Sequence, residues 1–269
     1  MGFLHAIVLG LVQGLTEFLP VSSSGHLVLL QRIFGISEPG MFFGVMLHVG
    51  TLLAVFVVLW RDIWVILRKP IQPLTGFLII GTVPAVIGAL TFKGQIELAF
   101  ETGRFLGISF LITSALLCTA ELLPGRTSNS LKKTEEMTWA DALVVGIMQA
   151  IAMIPGVSRS GATITGALSR KLNRDLAARF SFLLSIPAIM GALVLQLAEV
   201  FSVAGAAEIT SVGLVPLIAG TVTAAITGFF AVRFMLKIIR EKTLFGFAIY
   251  TAALGILVLA DQLWTNFVF

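Results

Sequence analysis

Long apolar stretches almost free of charge recur along the chain at about 41–60, 74–92, 105–123, 180–198, 212–232 and 244–260. Each is near the roughly 20 residues that a helix needs to cross a hydrocarbon core of about 30 Å. The pattern therefore predicts six transmembrane helices. Two further apolar regions, about 3–35 and 139–174, are interrupted by clusters of Pro, Gly and Ser. The pieces on either side of each interruption are too short to span with ease. Each region reads as a re-entrant hairpin, two half-helices that dip in and return to the same side. Broken backbone at membrane depth is tolerated only where protein or a water-filled cavity surrounds it.

The two broken regions echo each other. Gln13–Gly25 (QGLTEFLPVSSSG) aligns without gaps to Gln149–Gly161 (QAIAMIPGVSRSG) at an offset of 136 residues. A second echo relates Gly81–Ile87 to Gly220–Ile226. Each half then holds one hairpin and three spans. Three is odd, so the second half enters from the opposite face, which predicts an all-α membrane protein built as an inverted-topology repeat. The expected organisation is a single membrane domain with repeats at about 1–123 and 137–269, joined by a loop at 124–136.

Composition agrees: 57% of the 269 residues are hydrophobic and only 12% charged, against about a quarter charged in soluble domains. Mean hydropathy is +1.01. The first apolar stretch contains Glu17 and runs straight into a polar motif, so it is not read as a cleaved signal. The net charge of +4 is a matter of topology rather than of nucleic-acid binding. In the six-span arrangement one side receives 14 Lys and Arg and the other receives Arg32, Lys93 and Arg104. The positive-inside rule then puts the linker in the cytoplasm, and both termini and the mouth of the first hairpin outside. The single cysteine, Cys118, excludes an intrachain disulfide and a cysteine-based metal site.

The chemistry sits in the interruptions, EFLPVSSSGH at Glu17–His26 and PGVSRSGAT at Pro155–Thr163. Pro20 and Pro155-Gly156 end a half-helix each. Ser22 or Ser23, and Ser158, are suited to cap the next ones. Two helix N-termini near the midplane offer unpaired N–H groups and positive dipole ends, an arrangement that suits phosphate. Arg159 adds a guanidinium of matching fork geometry. Ser160, Gly161 and Thr163 share its half-helix and, with Ser158 and Ser22, are candidate phosphate-binding residues, Thr163 being equally suited to bond back within its helix. Ser23 and His26 lie three apart and share a helix face, so a hydroxyl and an imidazole are available for nucleophilic or acid–base work. Glu17 can orient His26, act as a base or hold a divalent ion. Charge at this depth is costly and marks function more often than packing. His48 reads as a packing histidine, and Gln13 and Gln149 as amides that hydrogen-bond across the repeat interface.

EFLPVSSSGH together with PGVSRSGAT resembles the undecaprenyl-diphosphate phosphatase family, also called the bacitracin-resistance protein family, over essentially the full chain. The resemblance implies hydrolysis of undecaprenyl diphosphate to undecaprenyl phosphate and inorganic phosphate, which recycles the carrier of cell-wall precursors. It also implies a bacterial plasma membrane, a site open to its outer face, and a divalent cation, Mg or Ca. It places the nucleophile at Ser23, the histidine at His26, the acid at Glu17 and the arginine at Arg159, flanked by Ser158 and Ser160. The family motif is often written with a second glutamate where this chain has Gln13. A neutral amide can orient a partner but cannot be a base, which leaves Glu17 as the acid and the candidate metal ligand. Expected partners are the lipid substrate and membrane lipids, with a homodimer as a further option. Direct attack by His26, with Ser23 holding phosphate, fits the same spacing. A lipid or anion transporter shares the outline but needs no nucleophile. An intramembrane serine protease leaves Arg159 without a task.

Overall fold

The computed structural model describes residues 2–36, 41–123, 131–200 and 212–269. Twelve helices follow in order among them. They are α1 Phe3–Phe18, α2 Ser23–Ile33, α3 Met41–Val58, α4 Trp60–Arg68, α5 Pro73–Thr91, α6 Lys93–Thr102, α7 Leu106–Leu122, α8 Trp139–Ile151, α9 Arg159–Ser169, α10 Arg174–Val200, α11 Leu214–Glu241 and α12 Phe245–Ala260. No strand occurs among the described residues; the one bridge, Lys132 to Leu172, ties the end of the linker to the turn after α9.

The helices are apolar on both faces, as lipid requires. On α11, Ile218, Val222, Ile226, Phe230 and Phe234 form an exposed stripe at four-residue spacing, while Gly220, Ala224 and Gly228 are buried. Small residues inside and large ones outside are the packing habit of membrane helices. Four helices are long and apolar enough to cross: Pro73–Thr91, Arg174–Val194, Leu214–Glu241 and Phe245–Thr265. A fifth candidate is Phe42–Val58 with Trp60–Arg68, bent by 80°.

The expected six spans are thus met in part. The stretch at 41–60 leaves its axis at Leu59. There the apolar run gives way to Trp60-Arg61-Asp62, and α4 presents Trp60 and Trp64 to the exterior with Arg68 over the Trp64 ring. Aromatic and basic residues on a short helix suit a membrane interface, which accounts for the turn. The stretch at 105–123 forms α7 with 17 residues, about 25 Å at 1.5 Å per residue. The other departure is α6, a polar helix tied by the Lys93–Glu97 pair.

Both interruptions are breaks between half-helices. The pieces have 16 and 11 residues on the first side and 13 and 11 on the second, none longer than about 24 Å. Each leading half-helix lies close against a long helix. A Cβ added at Gly10 of α1 would meet the Gly220 carbonyl of α11 at 2.4 Å, and one at Gly146 of α8 would meet the Gly81 carbonyl of α5 at 2.4 Å. Backbones this close exclude any side chain at those two positions. The second piece, α9, is packed among α7, α8 and α10. Below it Phe18 and Phe182 meet edge to face at 5.5 Å, in a cluster with Val55, Leu117 and Ile164.

Candidate active site

The two breaks meet. Ser22 caps α2 by accepting from the Gly25 N–H at 3.2 Å, and Ser158 caps α9 by accepting from the Gly161 N–H at 3.1 Å. The following serines cross between hairpins. Ser160 Oγ donates to the Leu19 carbonyl at 3.1 Å, and Ser24 Oγ accepts from the Gly156 N–H at 3.4 Å. Gly156 has φ +89°, a conformation that L side chains rarely adopt. Its Cα lies 3.1 Å from where a Cβ on Gly25 would stand. The caps leave Ser23 and Arg159 as the first residues of their half-helices, and each faces the same point.

That point is Glu17, at the end of α1 with its side chain 6% exposed. Arg159 Nη2 donates to Oε1 at 2.5 Å. Ser23 Oγ donates to Oε2 at 2.6 Å, and Gln13 Nε2 donates to the same oxygen at 3.0 Å. A serine hydroxyl within hydrogen-bond reach of a carboxylate is the arrangement for nucleophile and general base. The second Arg159 nitrogen, Nη1, is buried and has no partner among the described residues. An unpaired guanidinium N–H in a dry site is costly, and an anion is the group that would satisfy it.

The remaining expected residues have defined places. His26 does not contact Ser23. Its Nδ1 lies 2.7 Å from the Ser22 carbonyl, which can only accept, so Nδ1 carries a proton. In the neutral ring Nε2 then accepts from the Tyr250 hydroxyl at 2.7 Å. The ring stacks on Tyr250 and meets Phe110 edge-on. Ser22 has φ +71°, sparsely allowed for a serine, and His26 anchors its carbonyl. Ser158 donates its N–H to Thr113 Oγ1 at 3.0 Å, so α7 also holds the second cap. Thr163 bonds back to the Arg159 carbonyl and to Ser181 Oγ. The hydroxyls of Ser158, Ser160 and Thr163 are therefore engaged within the protein, and Gly161 is spent on the cap. Gln13 serves its own half, bridging Glu17 and His48, and the buried Gln149 amide has no partner among the described residues. The expected bond between these two glutamines is absent.

Three residues complete the site that the sequence reading left out. His48 lies 3.6 Å from Glu17 and 3.0 Å from Gln13. A titratable ring in mid-span was the signal, set aside there as packing. Tyr250 is the only tyrosine in the chain, and Thr113 is one of four hydroxyl residues on α7, with Ser109, Ser114 and Thr119. Neither stands out as a site residue along the chain, and both gain meaning only from tertiary contact.

The described residues do not by themselves close a site for a divalent cation. Among the described residues no group of three His, Cys, Asp or Glu can hold one. Mg²⁺ is commonly held through one or two carboxylates together with substrate phosphates and water, and here the one carboxylate already receives an arginine, a serine and an amide. The unpaired donor on Arg159 favours an anion.

Fold and site define a class: a multi-pass helical membrane protein with a serine, a carboxylate and a guanidinium where two broken helices meet. Within it the chain belongs to the family described as Bacitracin resistance protein BacA, whose model matches residues 6–257. It is 47% identical to an undecaprenyl-diphosphatase of Carboxydothermus hydrogenoformans, over 97% of this chain and 98% of that protein. It is 45% identical to undecaprenyl-diphosphatase 4 of Bacillus thuringiensis subsp. konkukian, over the same shares. It is 40% identical to an undecaprenyl-diphosphatase of Halothermothrix orenii, over 96% and 98%.

Proposed function

We propose that this protein hydrolyses undecaprenyl diphosphate to undecaprenyl phosphate and inorganic phosphate, recycling the lipid carrier for cell-wall synthesis and conferring bacitracin resistance. The observation that carries the reading is the single carboxylate that holds Ser23 on one oxygen and Arg159 on the other. In the reaction, Ser23 Oγ attacks the terminal phosphorus as its proton passes to Glu17 Oε2. The bond from phosphorus to the bridging oxygen breaks, and the lipid monophosphate leaves with the electron pair. Arg159 and the first N–H groups of α2 and α9 hold the phosphoryl oxygens. Glu17 first gives that proton up to solvent; water then attacks the phosphoserine as it loses a proton to Glu17, which returns it to Ser23 Oγ as the P–Oγ bond breaks and phosphate departs. Catalysis of this kind is positioning plus electrostatic stabilisation. A divalent ion, on this reading, arrives on the diphosphate oxygens, and no step depends on it.

His26 fixes the strained cap at Ser22 and thereby the aim of Ser23. The polyprenyl chain lies along the apolar groove of about 520 Å³ lined by Leu15, Leu19, Val21, Ile238, Phe247 and Tyr250, which ends beside His26.

The architecture we propose is the inverted repeat, about 1–123 and 137–269, with residues 124–130 of the linker outside the described part. Three matched features support it. Gly10 on Gly220 answers Gly146 on Gly81; the Ser22 cap answers the Ser158 cap; Ser23 and Arg159 occupy the same repeat position. The setting is a bacterial plasma membrane, with both termini and the site opening outside, as the distribution of Lys and Arg indicates.

Purified protein in detergent is expected to release phosphate from a polyprenyl diphosphate and, on rapid acid quench, to yield an acid-stable phosphoserine at position 23. An acid-labile phosphohistidine at position 26 would move the nucleophile to His26, and flux without phosphate release would favour a carrier. Arg159→Lys is expected to lower kcat/KM by roughly tenfold to a hundredfold, or about 1.4–2.8 kcal/mol, because an ammonium that pairs with Glu17 has no second planar arm for phosphate. Steady-state phosphate release measures it.

A further inference from the structure

We propose that His48 is a positioning residue that takes the Ser23 proton off Glu17 and passes it to water. The inference deepens the phosphatase reading and rests on it. Glu17 is buried, so a proton received there needs a way out. The oxygen that accepts from Ser23 is Oε2, and His48 Nδ1 lies 3.6 Å from that same oxygen. The Glu17 side chain is 6% exposed and that of His48 40%. The ring is thus the exposed neighbour of the buried acceptor.

The tautomer suits the task. Gln13 Nε2 has two hydrogens and donates one to Glu17 Oε2 and the other to His48 Nδ1, at 3.0 Å each. Nδ1 is then unprotonated in the resting site and can take a proton once the amide turns aside. Gln13 Oε1 is buried without a partner among the described residues, so nothing else pins the amide against a small rotation that brings Nδ1 to the carboxyl. The Thr51 hydroxyl bonds to the His48 carbonyl and steadies the helix turn that carries the ring.

The charged groups at this corner are Glu17 from α1 and, through it, Arg159 from α9. At Gly50, α11 offers the Thr221 carbonyl and Ala224. Asp62 of α4, Asp175 and Arg179 of α10 and Arg240 of α11 pair with one another, and Asp62 stands 14 residues along the chain from His48.

The proton balance closes with this assignment. Ser23 loses a proton to Glu17 as the Oγ–P bond forms, and Glu17 gives it to His48. The regenerated carboxylate takes a proton from the attacking water and returns it to Ser23 Oγ as the P–Oγ bond breaks. The proton on His48 is the one that hydrolysis of the diphosphate releases at neutral pH, and it leaves from the exposed ring. His48 on α3 thereby supplies the second proton-accepting group that Gln13 does not.

The test is the pH dependence of kcat for wild type, His48→Asn and Gln13→Glu/His48→Asn in detergent. Asn keeps an amide near the place of Nδ1 but carries no proton onward. We expect His48→Asn to lose about tenfold to a hundredfold in kcat at neutral pH with KM little changed. Its pH profile should also differ from that of wild type. Added imidazole, or the second carboxylate in the double variant, is expected to restore part of the rate. An active wild type whose His48→Asn variant keeps both kcat and profile would overturn the proposal alone. So would a loss expressed only in KM. Wild type that releases no phosphate would overturn the phosphatase reading itself.

Discussion

Ser23→Ala is expected to lower kcat by at least about 10⁴-fold while leaving the protein folded. Removal of a nucleophile from a group of residues acting as a unit costs on that order. The fold survives because Ser23 is the first residue of α2 and not its cap; the cap is Ser22, whose bond to Gly25 does not involve position 23. What is lost is one hydrogen bond to Glu17, worth about 1 kcal/mol, and Oε2 keeps its bond from Gln13. Thermal unfolding in detergent should therefore change little, phosphate release should fall to background, and no phosphorylated enzyme should be trapped. Turnover near the wild-type level would end the serine mechanism and leave His26 as the attacking group.

Glu17→Gln should have the next largest effect, about 10²- to 10⁴-fold in kcat, with a different signature. The amide keeps the shape of the carboxylate but cannot take the Ser23 proton. It also leaves Arg159 without its counter-charge. Breaking a buried ion pair costs about 3–5 kcal/mol, and the 17% exposure of Arg159 places this case toward the lower figure. A freed guanidinium turns to phosphate, so KM is expected to hold or fall while kcat collapses. A substrate analogue should accordingly raise the melting temperature of Glu17→Gln more than that of wild type. If Glu17→Gln keeps kcat within tenfold of wild type, Glu17 is not the base and the role returns to His26.

The parts of this site legible in the chain were those set by local chemistry. Pro20 and Pro155-Gly156 foretold the breaks, because a missing N–H and a positive-φ glycine end helices wherever they occur. The serine caps followed from the same reasoning, and an arginine beside a break was marked as a charge in need of a partner, which the structure gives as Glu17. The partnerships were not legible. Ser23 and His26 share a helix face by spacing, yet Ser23 turns to Glu17 and His26 to Tyr250, 224 residues away. Ser158, Ser160 and Thr163 looked like phosphate ligands because hydroxyls near a helix N-terminus usually point outward. Here the facing hairpin and α7 and α10 supply their partners. The bend after Val58 escaped notice because hydropathy averages over Trp60 and the apolar residues around it.

One feature bears on how substrate and protein meet. Ser160 to Leu19, Gly156 to Ser24, and Arg159 to Glu17 each join one hairpin tip to the other. A carrier that rocks its halves past each other would have to part these tips at the least hydrated depth of the bilayer. Each neutral bond would cost about 1 kcal/mol, and the ion pair more. A cradle sewn shut along that seam favours a stationary protein and a travelling lipid. On the proposed reading, the polyprenyl diphosphate would enter sideways from the leaflet, with its chain in the groove beside Tyr250 and its head at Arg159.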